Sequence, residues 1–338
     1  MPVRAISLDA ESILSNLLIA VRDIHFASSV IVAGIVFFDW LIVAPVFGAD
    51  LRLPATFSAF TETSQRILWL SLGVSIVSAL AWLCLLSTRI AGKPFEQVIA
   101  DGTIWIVLSR TQFGIAWAAR ILVAGLLAIC LPSRQKLKAL PADWRGSLSA
   151  LLAGFYLGLM AFAGHGEEGL GFERNIHLAA DFLHLVAVGL WLGGLLPLAI
   201  LLTYLRRCGE EPWLSAACNA GSRFSTLGIL AVSILLISGT INASFLVGGI
   251  QSLIDTRYGR LLLLKLALFA VMVSAAAINR QYLLPRLCKA DATDRSDPTA
   301  QRLVRSTLVE LTLGLAIILI VGVLGITAPA VDMASHAH

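Results

Sequence analysis

Eight times along this chain an apolar run reaches or approaches the ~20 residues that an α-helix needs to cross the hydrocarbon core of a bilayer. The runs are Ile24–Phe47, Ile67–Leu86, Gly114–Leu131, Leu148–Ala163, Ile176–Leu202, Phe224–Leu246, Leu261–Leu284 and Leu308–Thr327. In lipid no water satisfies a backbone N–H or C=O, so such runs must close their hydrogen bonds internally, as helices. The fold class is therefore all-α: a polytopic membrane helix bundle of about eight transmembrane helices. Hydrophobic residues make up 58% of the chain and charged ones 14%, against about 25% charged in soluble domains. That balance excludes a soluble domain with a single anchor. Arg4 and Asp9 interrupt the first ten positions, and no small-residue cleavage site follows a short apolar core. The first span is accordingly read as its own insertion signal.

Charge in the loops orients the bundle. The linker Pro132–Gly146 carries Arg134, Lys136, Lys138 and Arg145, and the stretch Asn279–Ser306 carries Arg280, Arg286, Lys289, Arg295, Arg302 and Arg305. Basic loops of this kind stay on the cytoplasmic side, where Arg206 and Arg207 also fall. The loops Gly164–Asn175 and Val247–Gly259 and the tail Ala328–His338 then face outward, and both termini are periplasmic. The net charge of +4 reports this topology, and no nucleic-acid partner is supported. Arg89–Phe113 is too polar to span and reads as an amphipathic piece on the outer interface, as do the residues before Ile24.

On this topology all six histidines lie toward one face. His25 starts the first span, His165 follows the fourth, His177 opens the fifth with His184 two turns deeper, and His336 and His338 end the tail. The stretch "HLAADFLHLVAVGLWLGG" concentrates them. Asp181 lies about 40° around the helix and ~6 Å beyond His177, and His184 about 20° the other way and ~10 Å beyond. One face thus carries all three. His177 with Asp181, or Asp181 with His184, can grip one metal ion, while the two histidines stand too far apart to share one directly. Alternatively Asp181 fixes the tautomer of one imidazole while its other nitrogen meets the metal. Taken singly, His25 and His165 fit solvated interfacial positions and His336 and His338 a frayed tail. A buried His184 with a short, unsnorkelling aspartate one turn away does not.

Gly154–Gly158 and Gly189–Gly193 both match GxxxG, which lets helix backbones approach. A meeting of those two faces would bring Met160 and His165 toward His177 and Asp181. Of the other intramembrane polar groups, Asp39 is expected to pair with Arg66, and Lys265 and Glu310 to be solvated near span ends. Five cysteines without a CxxC pair fit no disulfide framework and receive no role.

The stretch "HLAADFLHLVAVGLWLGGLLP", with "ISGTINA" (Ile237–Ala243), "YGRLLLLKLALFAVMVSAAAINRQYLLPRL" (Tyr258–Leu287) and "RSTLVELTLGLAIILIVGVLGITAP" (Arg305–Pro329), resembles the CopD/PcoD copper-resistance membrane protein family. The likeness covers roughly the second half. It divides the chain into N-terminal helices over 1–147 and CopD-like helices over 148–338, within one integrated membrane domain. The resemblance implies a multi-pass protein of the bacterial inner membrane that takes up copper from the periplasm. It further implies a periplasmic copper-binding partner of the CopC kind, and copper-linked roles for His177, Asp181 and His184. We extend that role to His165, His25, Met160, His336 and His338. Imidazole and carboxylate suit divalent copper, zinc or nickel, and the few methionines leave Cu+ and Cu2+ both open. Tyr258, Arg260 and Lys265 match family positions.

A competing reading is a b-type haem membrane cytochrome using His25, His165 or His184 as axial ligands. A proton-coupled carrier would use the same histidines as relays. A metalloprotease is disfavoured because "HGEEG", "HLAAD" and "HLVAV" contain no HExxH, and no enzyme activity is expected. No nucleotide-binding loop is present, so transport is expected to run on a gradient, on ligand exchange or on a partner.

Overall fold

A computed structural model describes residues 8–47, 55–131, 142–163, 171–208, 212–290 and 298–331, and among these residues there are helices and no strands. Eight helices are long and apolar enough to cross a membrane: Glu11–Phe47, Phe57–Ala91, Gln112–Cys130, Trp144–Ala163, Gly171–Arg207, Trp213–Leu246, Arg257–Lys289 and Thr299–Leu324. They are called the first to eighth spans below. Several exceed the apolar runs because helix continues into polar flanks that hydropathy ignores. The residues before Ile24 accordingly do not form a separate interfacial piece. They continue the first span from Leu8, with Leu18 buried against Trp82 and Leu83 of the second. The stretch after Arg89 forms two short helices, Phe95–Ala100 and Thr103–Arg110. Val98 and Val107 are their buried residues and Phe95, Ile99 and Trp105 are exposed. Gly102, at φ 66°, turns one into the other.

The fifth span is the hub. Within its most apolar window 72% of residues are buried, against 6% for the seventh, which lies at the periphery. Backbone contact with the first span is direct: a Cβ on Gly34 would stand 2.1 Å from Gly193. The two GxxxG motifs divide their work in a way spacing did not show. Gly158 receives the ring of Phe182, and Gly189 receives Leu157, so these two join the fourth and fifth spans. Gly193 instead meets Val30 and Gly34, and Gly154 faces Phe37.

Three spans contain a widened π-turn: Asp39–Val43, Gly189–Gly193 and Asn279–Leu283. Each is followed within four residues by a proline, Pro45, Pro197 or Pro285. Proline lacks the N–H of the regular ladder and its ring clashes with the carbonyl four residues back. An inserted residue relieves that clash without ending the helix, and such bulges gather at functional sites. Near-uniform hydropathy hides this irregularity.

The two ends of the bundle are marked by long-range contacts. Where the first span begins and the eighth ends, Arg22 Nη1 donates to the Gly325 carbonyl at 2.9 Å; this end is called the histidine face. At the opposite end Cys218 and Cys288 form a disulfide joining the sixth span to the seventh, which corrects the expectation that no cysteine pairs. Seventy residues of chain separate them, so local spacing carried no sign of it. This end is called the cysteine face.

Candidate functional site

The fifth span presents His177, Asp181 and His184 along one face, as helical geometry requires. What sequence reading did not locate is the opposing wall. It comes from the sixth span, whose Ser238, Asn242 and Phe245 recur at helical spacing, and from Tyr258 and Lys265 of the seventh. The His177 ring is buried and stacks on Phe245 with centroids 5.0 Å apart and planes 16° from parallel. Asn242 Nδ2 donates to Asp181 Oδ1 at 3.2 Å. The oxygen of that amide, Asn242 Oδ1, is buried and has no hydrogen-bond partner.

Ser238 settles the tautomer of His184. Its hydroxyl donates to the Ile234 carbonyl at 2.6 Å, which uses its only proton. Its oxygen lies 3.0 Å from His184 Nδ1 and must therefore accept, so Nδ1 carries the hydrogen. The Nε2 lone pair is left uncommitted. Metal-binding histidines characteristically hold their second nitrogen in this way, which orients the ring and raises its basicity. Gly239 packs beside this ring: a Cβ there would stand in ordinary contact, 3.5 Å from His184 Cε1.

Lys265 is half-buried on the seventh span and lies within electrostatic range of both Asp181 and His184; Tyr258 also senses Asp181. The solvated end-of-span position expected for this lysine is thereby corrected. It forms no ion pair with Asp181, since the two ion pairs among the described residues are Arg66–Glu62 and Lys93–Asp101. The first of these also corrects the expected Asp39–Arg66 pair: Arg66 satisfies itself one turn away at 2.7 Å.

His25 belongs to a different group. Arg120 can only donate, so His25 Nε2 accepts from its Nη1 at 2.7 Å, and Nδ1 donates to the Ser75 carbonyl at 3.0 Å with Ser78 Oγ at 3.1 Å. Both ring nitrogens are engaged. Arg120 Nε donates to the Tyr156 carbonyl at 3.0 Å and Nη2 to Ser29 Oγ at 3.3 Å. Ser29 bonds Ser75 at 2.8 Å, and Ser75 bonds the Tyr156 hydroxyl. Trp82 and Trp117 pack on the imidazole, and the Arg120 guanidinium lies over Trp117 and Tyr156.

Met160 is buried in the main apolar core, in the 3₁₀ turn Leu159–Ala163. His165, His336 and His338 lie outside the described residues. Among the described residues no group of three or more His, Cys, Asp or Glu side chains gathers as a metal cluster.

Comparison with known proteins follows the whole chain. Residues 219–324 match the family described as Copper resistance protein D, and residues 12–175 match the Copper resistance protein D-like N-terminal domain. Over 313 residues, 92% of this chain and 98% of the relative, it is 31% identical to Inner membrane protein YebZ of Escherichia coli (strain K12). It is 27% identical to Copper resistance protein D of Pseudomonas syringae pv. tomato over 76% of this chain and 84% of that one. Identity is 30% to Copper transport protein CutJ of Bacillus subtilis (strain 168), over 67% of this chain and 40% of that protein. No solved structure matches. With family matches in both halves and a relative aligned almost end to end, the chain belongs to the copper resistance protein D family.

Proposed function

We propose that this protein moves copper across the bacterial inner membrane, taking it up from the periplasm through the His184–Asp181 site near the histidine face. A transporter, not an enzyme, is the reading that the relatives named for copper resistance and copper transport support. The observation that carries the site is the His184 Nε2 lone pair, freed by Ser238 on a helix that carries Asp181 one turn away. His177, one turn outward of Asp181, is the outer imidazole of this helix. His184, Asp181 and His177 supply fewer donors than a full coordination shell, and the ion completes it with further ligands such as water or those of its carrier, which suits a site that must also release it. A periplasmic copper-binding protein of the CopC kind is the donor this reading calls for, and the outer orientation of the histidine face rests on the basic loops at the other end.

Lys265 contributes to the charge balance of the site. A carboxylate inside a bilayer is costly, and the ammonium offsets part of that cost from beyond ion-pair distance. An arriving cation takes over that role. The haem reading draws no support here: His25, one of its three candidate ligands, has both ring nitrogens engaged, and two of the relatives are named for copper.

The test is copper content of purified wild-type and His184→Ala proteins, titrated against zinc and nickel, together with copper accumulation in cells. His184→Ala is expected to weaken copper binding about tenfold or more and to lower accumulation without affecting membrane insertion. Unchanged occupancy and accumulation would overturn the site, and accumulation that rises in the variant would overturn the inward direction.

A further inference from the structure

Toward the cysteine face the same helices enclose a second polar group. A cavity of about 370 Å³ lies between the fifth, sixth, seventh and eighth spans, walled mainly by apolar side chains such as Leu195, Phe224 and Val273. Trp191 closes it on the side of His184, seven residues or ~10 Å along the fifth span. Into this cavity the eighth span carries Glu310, only 2% exposed, which corrects the expected solvated position. The seventh span supplies Asn279, at the start of its π-turn, whose Nδ2 donates to Glu310 Oε1 at 2.5 Å. Asn279 is itself 9% exposed, and its Oδ1 is buried with no hydrogen-bond partner.

Glu310 and Asn279 Oδ1 together form an acceptor-rich pair, in apolar surroundings, with no positive charge in contact. Arg280 is the only other charged side chain lining the cavity. It is exposed, donates to Ser225 at 2.7 Å and makes no ion pair with Glu310. The elements packed on the eighth span add none. The first brings Arg22 and Asp23 at Gly325 and Gly322, more than about 18 Å farther along the helix, and Asp39 at its other end. From the fifth come Tyr204, bonded to Thr63, and the exposed Arg206 and Arg207. On the seventh, Tyr258, Arg260 and Lys265 sit near the histidine face, and Arg286 and Lys289 are exposed. None of these lines the cavity.

A buried carboxylate left in that state costs several kcal/mol, so the group is complete only with a cation. Its donors are all oxygen, which suits a small hard cation and not soft monovalent copper. We infer that Glu310 and Asn279 form a coupling-cation site, binding a proton or a sodium ion from the cysteine face to drive the copper step ten or more ångströms away. This rests on the copper reading for its output, but not for cation binding itself. Trp191 and the π-turn Gly189–Gly193 lie between the two sites, and the π-turn Asn279–Leu283 opens on Asn279 itself; these are the elements able to link them.

Two measurements on the full-length protein separate these parts. Without copper, an infrared difference spectrum is expected to show a protonated-carboxyl band in wild type that is missing in Glu310→Gln. Sodium abolishes that band if sodium is the ligand, whereas a proton site titrates with pH and ignores sodium. Asn279→Ala keeps the band and shifts its titration by about threefold or more, the loss of one neutral hydrogen-bonding group. In liposomes, an imposed proton or sodium gradient is expected to speed wild-type copper uptake about tenfold. Glu310→Gln, fixed in the neutral form, should lose that response while still binding copper, its affinity shifted by no more than the coupling itself, about tenfold. A wild-type protein without the band, or a Glu310→Gln protein with the full gradient response, overturns the inference. If His184→Ala leaves copper binding untouched while the Glu310 band persists, the copper reading falls and the cation site stands.

Discussion

Two clusters of buried polar groups, each centred on a histidine near the same face, have opposite hydrogen-bond bookkeeping. Around His25 the donors and acceptors close on one another: both ring nitrogens, three nitrogens of Arg120, and Ser29, Ser75 and Tyr156 are all engaged. Around His184 two acceptors stay unspent, the Nε2 lone pair and the orphaned Asn242 oxygen. A closed network ties helices together, since breaking any member strands a partner in the buried interior. The open one is incomplete until something arrives. Residue type does not separate glue from a binding site; the count of unspent lone pairs does.

The largest effect expected from this contrast is on stability. Arg120→Leu removes three hydrogen bonds and leaves His25 Nε2 and Ser29 without their donor, at a cost of about 3 kcal/mol. Thermal unfolding in detergent should show a clear drop, with copper affinity of the folded protein unchanged within about twofold. A stable variant with tenfold weaker copper binding would mean that the first-span cluster, not the fifth-span one, handles the ion.

Next in size is Ser238→Ala. Without the hydroxyl oxygen, His184 Nδ1 loses the acceptor that fixes its tautomer and ring direction. Removing such an outer partner typically weakens metal binding 10–100-fold, so isothermal titration should show copper affinity falling about tenfold while stability changes by about 1 kcal/mol or less. The reverse outcome, lost stability with intact affinity, would place Ser238 among the structural hydroxyls alongside Ser75.

Much of this was legible before any coordinates. Eight apolar runs imposed the bundle, because lipid leaves helices little alternative. Rotation of 100° per residue put His177, Asp181 and His184 on one face. The opposing wall was not legible. Ser238 and Asn242 stand four residues apart in "ISGTINA", but which way they point depends on how the sixth span packs, a matter of contacts sixty residues apart. Glu310 was misplaced because hydropathy began the eighth span at Leu308, whereas helix starts at Thr299 and carries the glutamate three turns inward. Cys218 and Cys288 were unreadable for the same reason as Ser238. The π-turns did leave a trace, in three intramembrane prolines.

Lys265 supplies the smallest expected effect. It lies within range of Asp181 and His184 without touching either carboxylate oxygen. A positive charge several ångströms from an incoming cation costs about 1 kcal/mol in a half-solvated setting. Lys265→Met keeps the length and apolar stem of the side chain and removes that charge, so copper affinity should rise about fivefold. If affinity falls instead, the ammonium is needed to hold Asp181 in place, and the fifth-span cluster is closed in the same sense as the first-span one. The His25 cluster has no such mobile charge: Arg120 is pinned by every hydrogen bond it makes, whereas Lys265 is held by none.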